Sequence, residues 1–261
     1  MLIIFNNKYI PFHLVTSSPY PLLVSNSLGL LMIGIILNFD SLSTIILELG
    51  IIIMIINIIL WLSDIIIEST YLGLHTYEVE KGLSIGIILF IITEVILFIS
   101  IFWALYHSNL SPTISIGCIW PPIGIIIINA ITIPLLNSII LLSSSISITT
   151  AHYSMIARIR LYTINYIIIT IFKAIYFIIL QYIEYTYNTF TITDSIYGTI
   201  FYSLTGLHGI HIIIGLIFII ISLIRIYIYQ ITDYHHLGII ISIGYWHFVD
   251  ILWLFVYTTI Y

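Results

Sequence analysis

Glu94, Lys173, His208, His211, His247 and Asp250 all fall inside long apolar runs of the chain. A polar group taken from water into lipid costs several kcal/mol unless it finds a partner. Each of these residues therefore fixes one helix against another or serves chemistry. Glu94 lies eleven residues past Leu83, about 16 Å along a helix at 1.5 Å per residue, which is mid-membrane depth. Its helical neighbours Phe90, Ile91, Leu97 and Phe98 offer no counter-charge. Two readings stand for it: a carboxyl that handles protons or touches lipid, and a buried hydrogen bond to another helix. Lys173 lies at matching depth, so a Glu94–Lys173 pair is one expectation and contact with another subunit is a second.

The imidazoles invite a metal reading. His208, His211 and Gly215 share one helix face at i, i+3 and i+7, and His152, His235, His236 and His247 follow elsewhere. Metal-binding His boxes on membrane helices add further ligands nearby, and these do not. The expected role is hydrogen bonding across helices, beside the close-packing Gly206 and Gly209, with no metal in the chain. Trp246 and His247 sit too deep for an interfacial aromatic belt and are expected to pack on another helix. Asp250 follows His247 at i+3, so a bond between the two is geometrically open. No nucleophile arrangement, phosphate-cradling glycine loop or carboxylate dyad is present.

The elements that must hold these groups are membrane spans. Of 261 residues, 61% are hydrophobic and 7% charged, with mean hydropathy +1.21. That composition excludes a soluble globular domain. The net charge of −5 and the lack of basic runs exclude nucleic-acid binding. A single cysteine, Cys118, excludes an internal disulfide and a two-cysteine copper site. The first residues carry neither the signature of a secretory signal nor that of an imported transit peptide. The Ile-rich, Ala-poor usage fits A+T-rich organelle coding.

A hydrocarbon core of about 30 Å needs about 20 helical residues. The spans expected are Leu22–Asn38, Leu42–Ile66, Leu83–His107, Ile133–Ser154, Tyr162–Glu184, Ile196–Ile224 and Leu237–Ile260, with Ile125–Thr132 a docked loop before Pro134. Seven spans put Lys8, Lys81, Arg158, Arg160 and Arg225 on the N-terminal side, which places that side in the matrix or cytoplasm. The polar connection divides the chain into an N-terminal two-helix part (1–67), a linker (68–82) and a five-helix part (83–261). Ser143–Thr150 is a small-residue face suited to close helix contact. The loop Cys118–Gly124 reads as a rigid turn.

Read in order, the motifs resemble one family, cytochrome c oxidase subunit III. The matching pieces are Ser18-Pro-Tyr-Pro-Leu22, Asp64 with Glu68-Ser-Thr70, Lys81-Gly-Leu83, Glu94-Val95, Phe102-Trp-Ala104, His107-Ser108 and Trp120-Pro-Pro122. They continue with Pro134-Leu-Leu-Asn137, Ser147-Ile-Thr149, Ala151-His152, Gln181, Glu184-Tyr185 and Phe190-Thr-Ile-Thr-Asp194. Last come Tyr197-Gly198, Thr205-Gly-Leu-His-Gly-Ile-His211 and the Tyr245–Tyr257 run.

The resemblance implies an all-α membrane fold of seven transmembrane helices, two splayed from a five-helix bundle around a lipid-filled V-shaped cleft. It implies a non-redox subunit of the terminal oxidase that passes electrons from cytochrome c to oxygen and pumps protons. Haem a and copper would belong only to subunits I and II. The partners implied are subunit I, other oxidase subunits and phospholipid, in the mitochondrial inner membrane, with the N-terminus in the matrix and the C-terminus in the intermembrane space. Lipid-cleft or proton-related roles fall to Glu94, Trp61, Asp64, Glu68 and His75, and structural polar roles to His208, His211, Trp246, His247 and Asp250. Lys173, where an apolar residue is expected, becomes a candidate partner contact. Ser63, Ile67 and Ser84 stand where familiar members have Arg, so a lipid phosphate would be met differently here. Subunit III of a quinol oxidase, a stand-alone di-metal membrane oxidase and a secondary transporter are the alternatives.

Overall fold

Prolines set where two of the helices begin. Pro21 lies in the first turn of α1 (Tyr20–Phe39) and Pro134 in that of α4 (Ile133–Ile156), where the missing N–H has no intrahelical partner to lose. The computed structural model describes residues 12, 13, 15, 17–41, 43–232 and 235–261. Its remaining long helices are α2 (Ile45–Thr70), α3 (Tyr77–Leu110), α5 (Arg160–Tyr187), α6 (Ile196–Tyr227) and α7 (Leu237–Ile260). All seven are long and apolar enough to cross a membrane, and no strand occurs among the described residues. The expected placement of Lys8, and of Leu42 as the start of the second span, lies outside the described residues.

The observed helices overrun most of the expected spans. The largest extension is at α3, which starts at Tyr77 and takes in Glu78, Glu80 and Lys81. Hydropathy stops at Leu83 because those residues are polar. The helix continues because acidic side chains in a first turn complement the unpaired N–H groups there. With α2 running to Thr70, the helices leave only residues 71–76 between them. The stretch before α4 is irregular as expected, and a short 3-10 turn spans Ile114–Ile116. The following loop turns through Gly117 and Cys118 at positive φ and lays the Trp120 ring edge-on against Tyr197 at 5.7 Å.

The chain forms two compact units, Met1–Leu83 and Ser84–Tyr261. In the first unit α1 and α2 approach so closely that a Cβ on Gly34 would lie 2.5 Å from the Leu47 backbone. One on Gly50 would lie 2.8 Å from Leu31 N. Asn57 adds a polar fastener, donating from Nδ2 to the Leu23 carbonyl at 3.2 Å. In the second unit α4 packs on α5 and α7, and α6 on α5 and α7. Their shared core holds Leu141, Phe177, Phe201, Leu204, Ile212, Trp246, Val249 and Trp253, all nearly inaccessible.

Candidate functional site

Within the second unit, α3, α6 and α7 bring together three groups from distant parts of the chain. His211 Nε2 lies 3.3 Å from Glu94 Oε2, and His211 Nδ1 lies 2.6 Å from the Tyr245 hydroxyl. The array is partly enclosed, with side-chain exposure of 18% at Glu94 and 6% at His211. Phe98 packs on the imidazole at 5.4 Å, and Phe90 and Phe218 flank the Tyr245 ring. A neutral imidazole carries one N–H and one lone pair. Whichever nitrogen carries that proton, the ring donates to one neighbour and accepts from the other, so Glu94, His211 and Tyr245 form one continuous row of hydrogen-bonding groups.

Lys173 takes no part in this array. Its Nζ donates to the Ser143 carbonyl of α4 at 2.7 Å, so matched depth with Glu94 does not produce the Glu94–Lys173 pair. The ammonium uses a backbone carbonyl on a neighbouring helix instead.

Four further polar side chains of α7 meet α4. Trp246 Nε1 donates to Ser144 Oγ and Trp253 Nε1 to Ser138 Oγ, both at 2.9 Å. Between them Ser145 Oγ meets His247 Nδ1 at 2.7 Å and donates to Asp250 Oδ2 at 2.5 Å, while Thr149 Oγ1 meets His247 Nε2 at 3.3 Å. The i, i+3 spacing of His247 and Asp250 thus places both on one serine of another helix. Small hydroxyl residues in Ser143–Thr150 let α7 come close and then satisfy the Trp246 indole and the His247 imidazole, while Ser138 serves Trp253. His208 Nε2 reaches the Val249 carbonyl at 3.2 Å. His208, His211 and His247 accordingly serve three separate contacts rather than one centre.

The first unit carries a cavity of about 530 Å³. Trp61, Asp64, Ile65 and Glu68 line it from one face of α2, at i, i+3, i+4 and i+7. His75 enters from the connection, Glu78, Val79, Gly82 and Leu83 from the start of α3, and Phe12, His13, Val15 and Ser18 from the segment before α1. The group expected from the sequence is therefore divided: Trp61, Asp64, Glu68 and His75 share this cavity, whereas Glu94 belongs to the second unit.

Three positions that complete polar contacts are not signalled by spacing in the sequence. Tyr245 reads as one aromatic among many, yet it completes the Glu94–His211 row. His13 precedes the first span without a motif, yet its Nδ1 lies 4.0 Å from Glu68 Oε2. Glu184, 2% exposed near the end of α5, accepts from the Tyr261 hydroxyl at 2.5 Å. Burial, and then the adjacent Glu184 carboxylate, pushes the Tyr261 phenol well above its ordinary range, so it stays a donor. The carboxyls in the later apolar runs, Glu94, Glu184 and Asp250, were a signal for such partners, but nothing in the sequence says which residues they are.

A family model described as cytochrome c oxidase subunit III matches residues 10–261. A relative from Pisaster ochraceus named cytochrome c oxidase subunit 3 is 46% identical over 251 residues, 96% of this chain and 96% of that protein. One of the same name from Yarrowia lipolytica is 47% identical over 253 residues, covering 96% and 94%. One from Pelomedusa subrufa is 45% identical over 255 residues, covering 98% of each.

Proposed function

The chain belongs to the cytochrome c oxidase subunit III family, and from that premise we propose that it is a non-redox core subunit of a mitochondrial terminal oxidase. In that assembly it stabilises subunit I and sustains proton uptake through the Glu94 row. The observation that carries this reading is the continuous row Glu94–His211–Tyr245, which joins a carboxyl, an imidazole and a phenol at 3.3 and 2.6 Å. An isolated structural hydrogen bond needs one partner. This row supplies a titratable group at each of three successive positions, which suits proton storage and transfer. The dispersal of His208, His211 and His247 over separate contacts supports placing the redox centres in other subunits.

The chain is a multi-pass component of the inner membrane in this reading, with its N-terminal side toward the matrix. What supports this orientation is that Lys81, Arg158, Arg160 and Arg225 lie at or beside helix ends that seven crossings assign to the N-terminal side, as positive charge does in the matrix. Inside the second unit, Arg160 Nη2 donates to the carbonyls of Ile226 and Tyr227 at 3.1 and 2.6 Å and its guanidinium lies over the Tyr229 ring. Those contacts support the α4–α5 turn and the end of α6 lying at one level. The cavity beside Trp61 is suited to a phospholipid, with the indole against acyl chain and the carboxylates Asp64 and Glu68 against a headgroup ammonium. Residues 1–67 then serve lipid retention and residues 83–261 the packing and proton role, with 68–82 joining them.

The test is Glu94→Gln in the assembled oxidase, with Tyr245→Phe as a second arm. Proton uptake during turnover, or the number of turnovers before inactivation, falls in both variants while the complex still assembles. Unchanged uptake and durability in both would reduce the row to a structural contact.

A further inference from the structure

We propose that His13, Glu68 and His75 form a binding site for a divalent transition ion of the zinc class, a role separate from the proton row that goes beyond the lipid reading above and shares the Glu68 carboxylate with it. The expectation of a metal-free chain weighs His152, His208, His211, His235, His236 and His247 and leaves His13 and His75 out of account. This cluster lies at the margin of the spans, where the segment before α1, the last turn of α2 and the α2–α3 connection meet. One donor atom from each of the three side chains lies within 4.8 Å of the other two. His13 and His75 face each other with ring centroids 6.3 Å apart, and His13 Nδ1 lies 4.0 Å from Glu68 Oε2.

The His13 side chain is only 10% exposed and turns Nδ1 toward Glu68 Oε2 at 4.0 Å, longer than a hydrogen bond and open to a bridging ion. The surroundings favour a cation: among the described residues Asp64, Glu68 and Glu78 line the cavity and no Lys or Arg does. Two imidazoles and a carboxylate are the donor set of a borderline ion rather than of magnesium or calcium, which take oxygen ligands.

Zinc–ligand bonds of about 2.0–2.1 Å put tetrahedral ligands about 3.4 Å apart. The three side chains must therefore draw together by an ångström or so. His13 and His75 stand on non-helical segments that permit it. Three protein donors leave a fourth position for water or another oxygen. Once loaded, the ion ties the segment before α1 to the connection after α2.

Purified oxidase complex, stripped with a chelator, is titrated with zinc chloride by equilibrium dialysis in excess magnesium. Wild type is expected to bind one more zinc per complex than His75→Gln or Glu68→Gln. Alternatively, each variant binds that zinc at least about tenfold more weakly, the smallest loss seen when even outer-shell partners are removed. Equal stoichiometry and affinity in variants and wild type overturn the proposal. If the variants fail to assemble, anomalous scattering at the zinc edge from zinc-soaked native complex decides it. A peak among His13, Glu68 and His75 supports the site, and no peak there overturns it.

Discussion

The α1–α2 pair and the α4–α7 pair solve one problem in opposite ways. Lipid is as apolar as leucine, so burying apolar surface does little to hold membrane helices together. In the most apolar windows of α1 and α2, 11% of positions are buried within the protein, against 56% for α7. The first pair is held by shape: two glycines let backbones touch, with one amide bond from Asn57. The second is held by chemistry, with two indole donors and the Ser145–His247–Asp250 cluster spanning the interface. The difference teaches that a membrane helix pair needs either close approach or polar interlocking, and that the richly buried pair is the one loaded with polar groups.

The largest effect is expected where shape has no slack. Gly34→Val sets a side chain against the Leu47 backbone, which cannot rotate away, so the cost exceeds the roughly 1–3 kcal/mol of ordinary overpacking. Assembled oxidase on native gels should fall sharply. Normal assembly would show that α1 and α2 tolerate separation and that shape is not what joins them.

Ser145→Ala tests the chemical solution. It strips His247 and Asp250 of their common hydroxyl and is expected to destabilise by about 1–2 kcal/mol, the upper range for inter-helix hydrogen bonds in membranes. Faster thermal inactivation of the purified complex is the readout. Wild-type inactivation would mean the seam is held by packing alone.

The smallest effect sharpens the contrast. Asn57→Leu removes the one amide fastener of the first pair and is expected to cost about 0.6 kcal/mol, a barely measurable change in the same inactivation assay. A loss as large as that of Ser145→Ala would place polar bonding at the centre of both pairs.

How far the molecule was legible in its sequence varies by feature. The spans were plain because lipid imposes a length and an apolar composition on every crossing. Proline marked the start of α4 correctly, for the local reason that it lacks an N–H. The start of α3 was missed by six residues because hydropathy cannot distinguish a polar helical turn from a loop. Glu94 was legible as an anomaly at mid-depth, but depth is only one coordinate. Lys173 shares it and turns to Ser143, while the true neighbour His211 is set by the rotation of α6.

By itself, then, the chain's order of residues determined how many times it crosses, where most crossings lie and which polar groups must find partners, since each follows from local composition against a solvent of known thickness. Tertiary structure alone decided who the partners are: His211 for Glu94, Tyr245 for His211, Ser145 for Asp250, His13 for Glu68. The physical reason is that side-chain pairing depends on the rotation and crossing of whole helices. Those are settled by small residues such as Gly34, Gly50 and Ser144 acting between segments far apart in the chain.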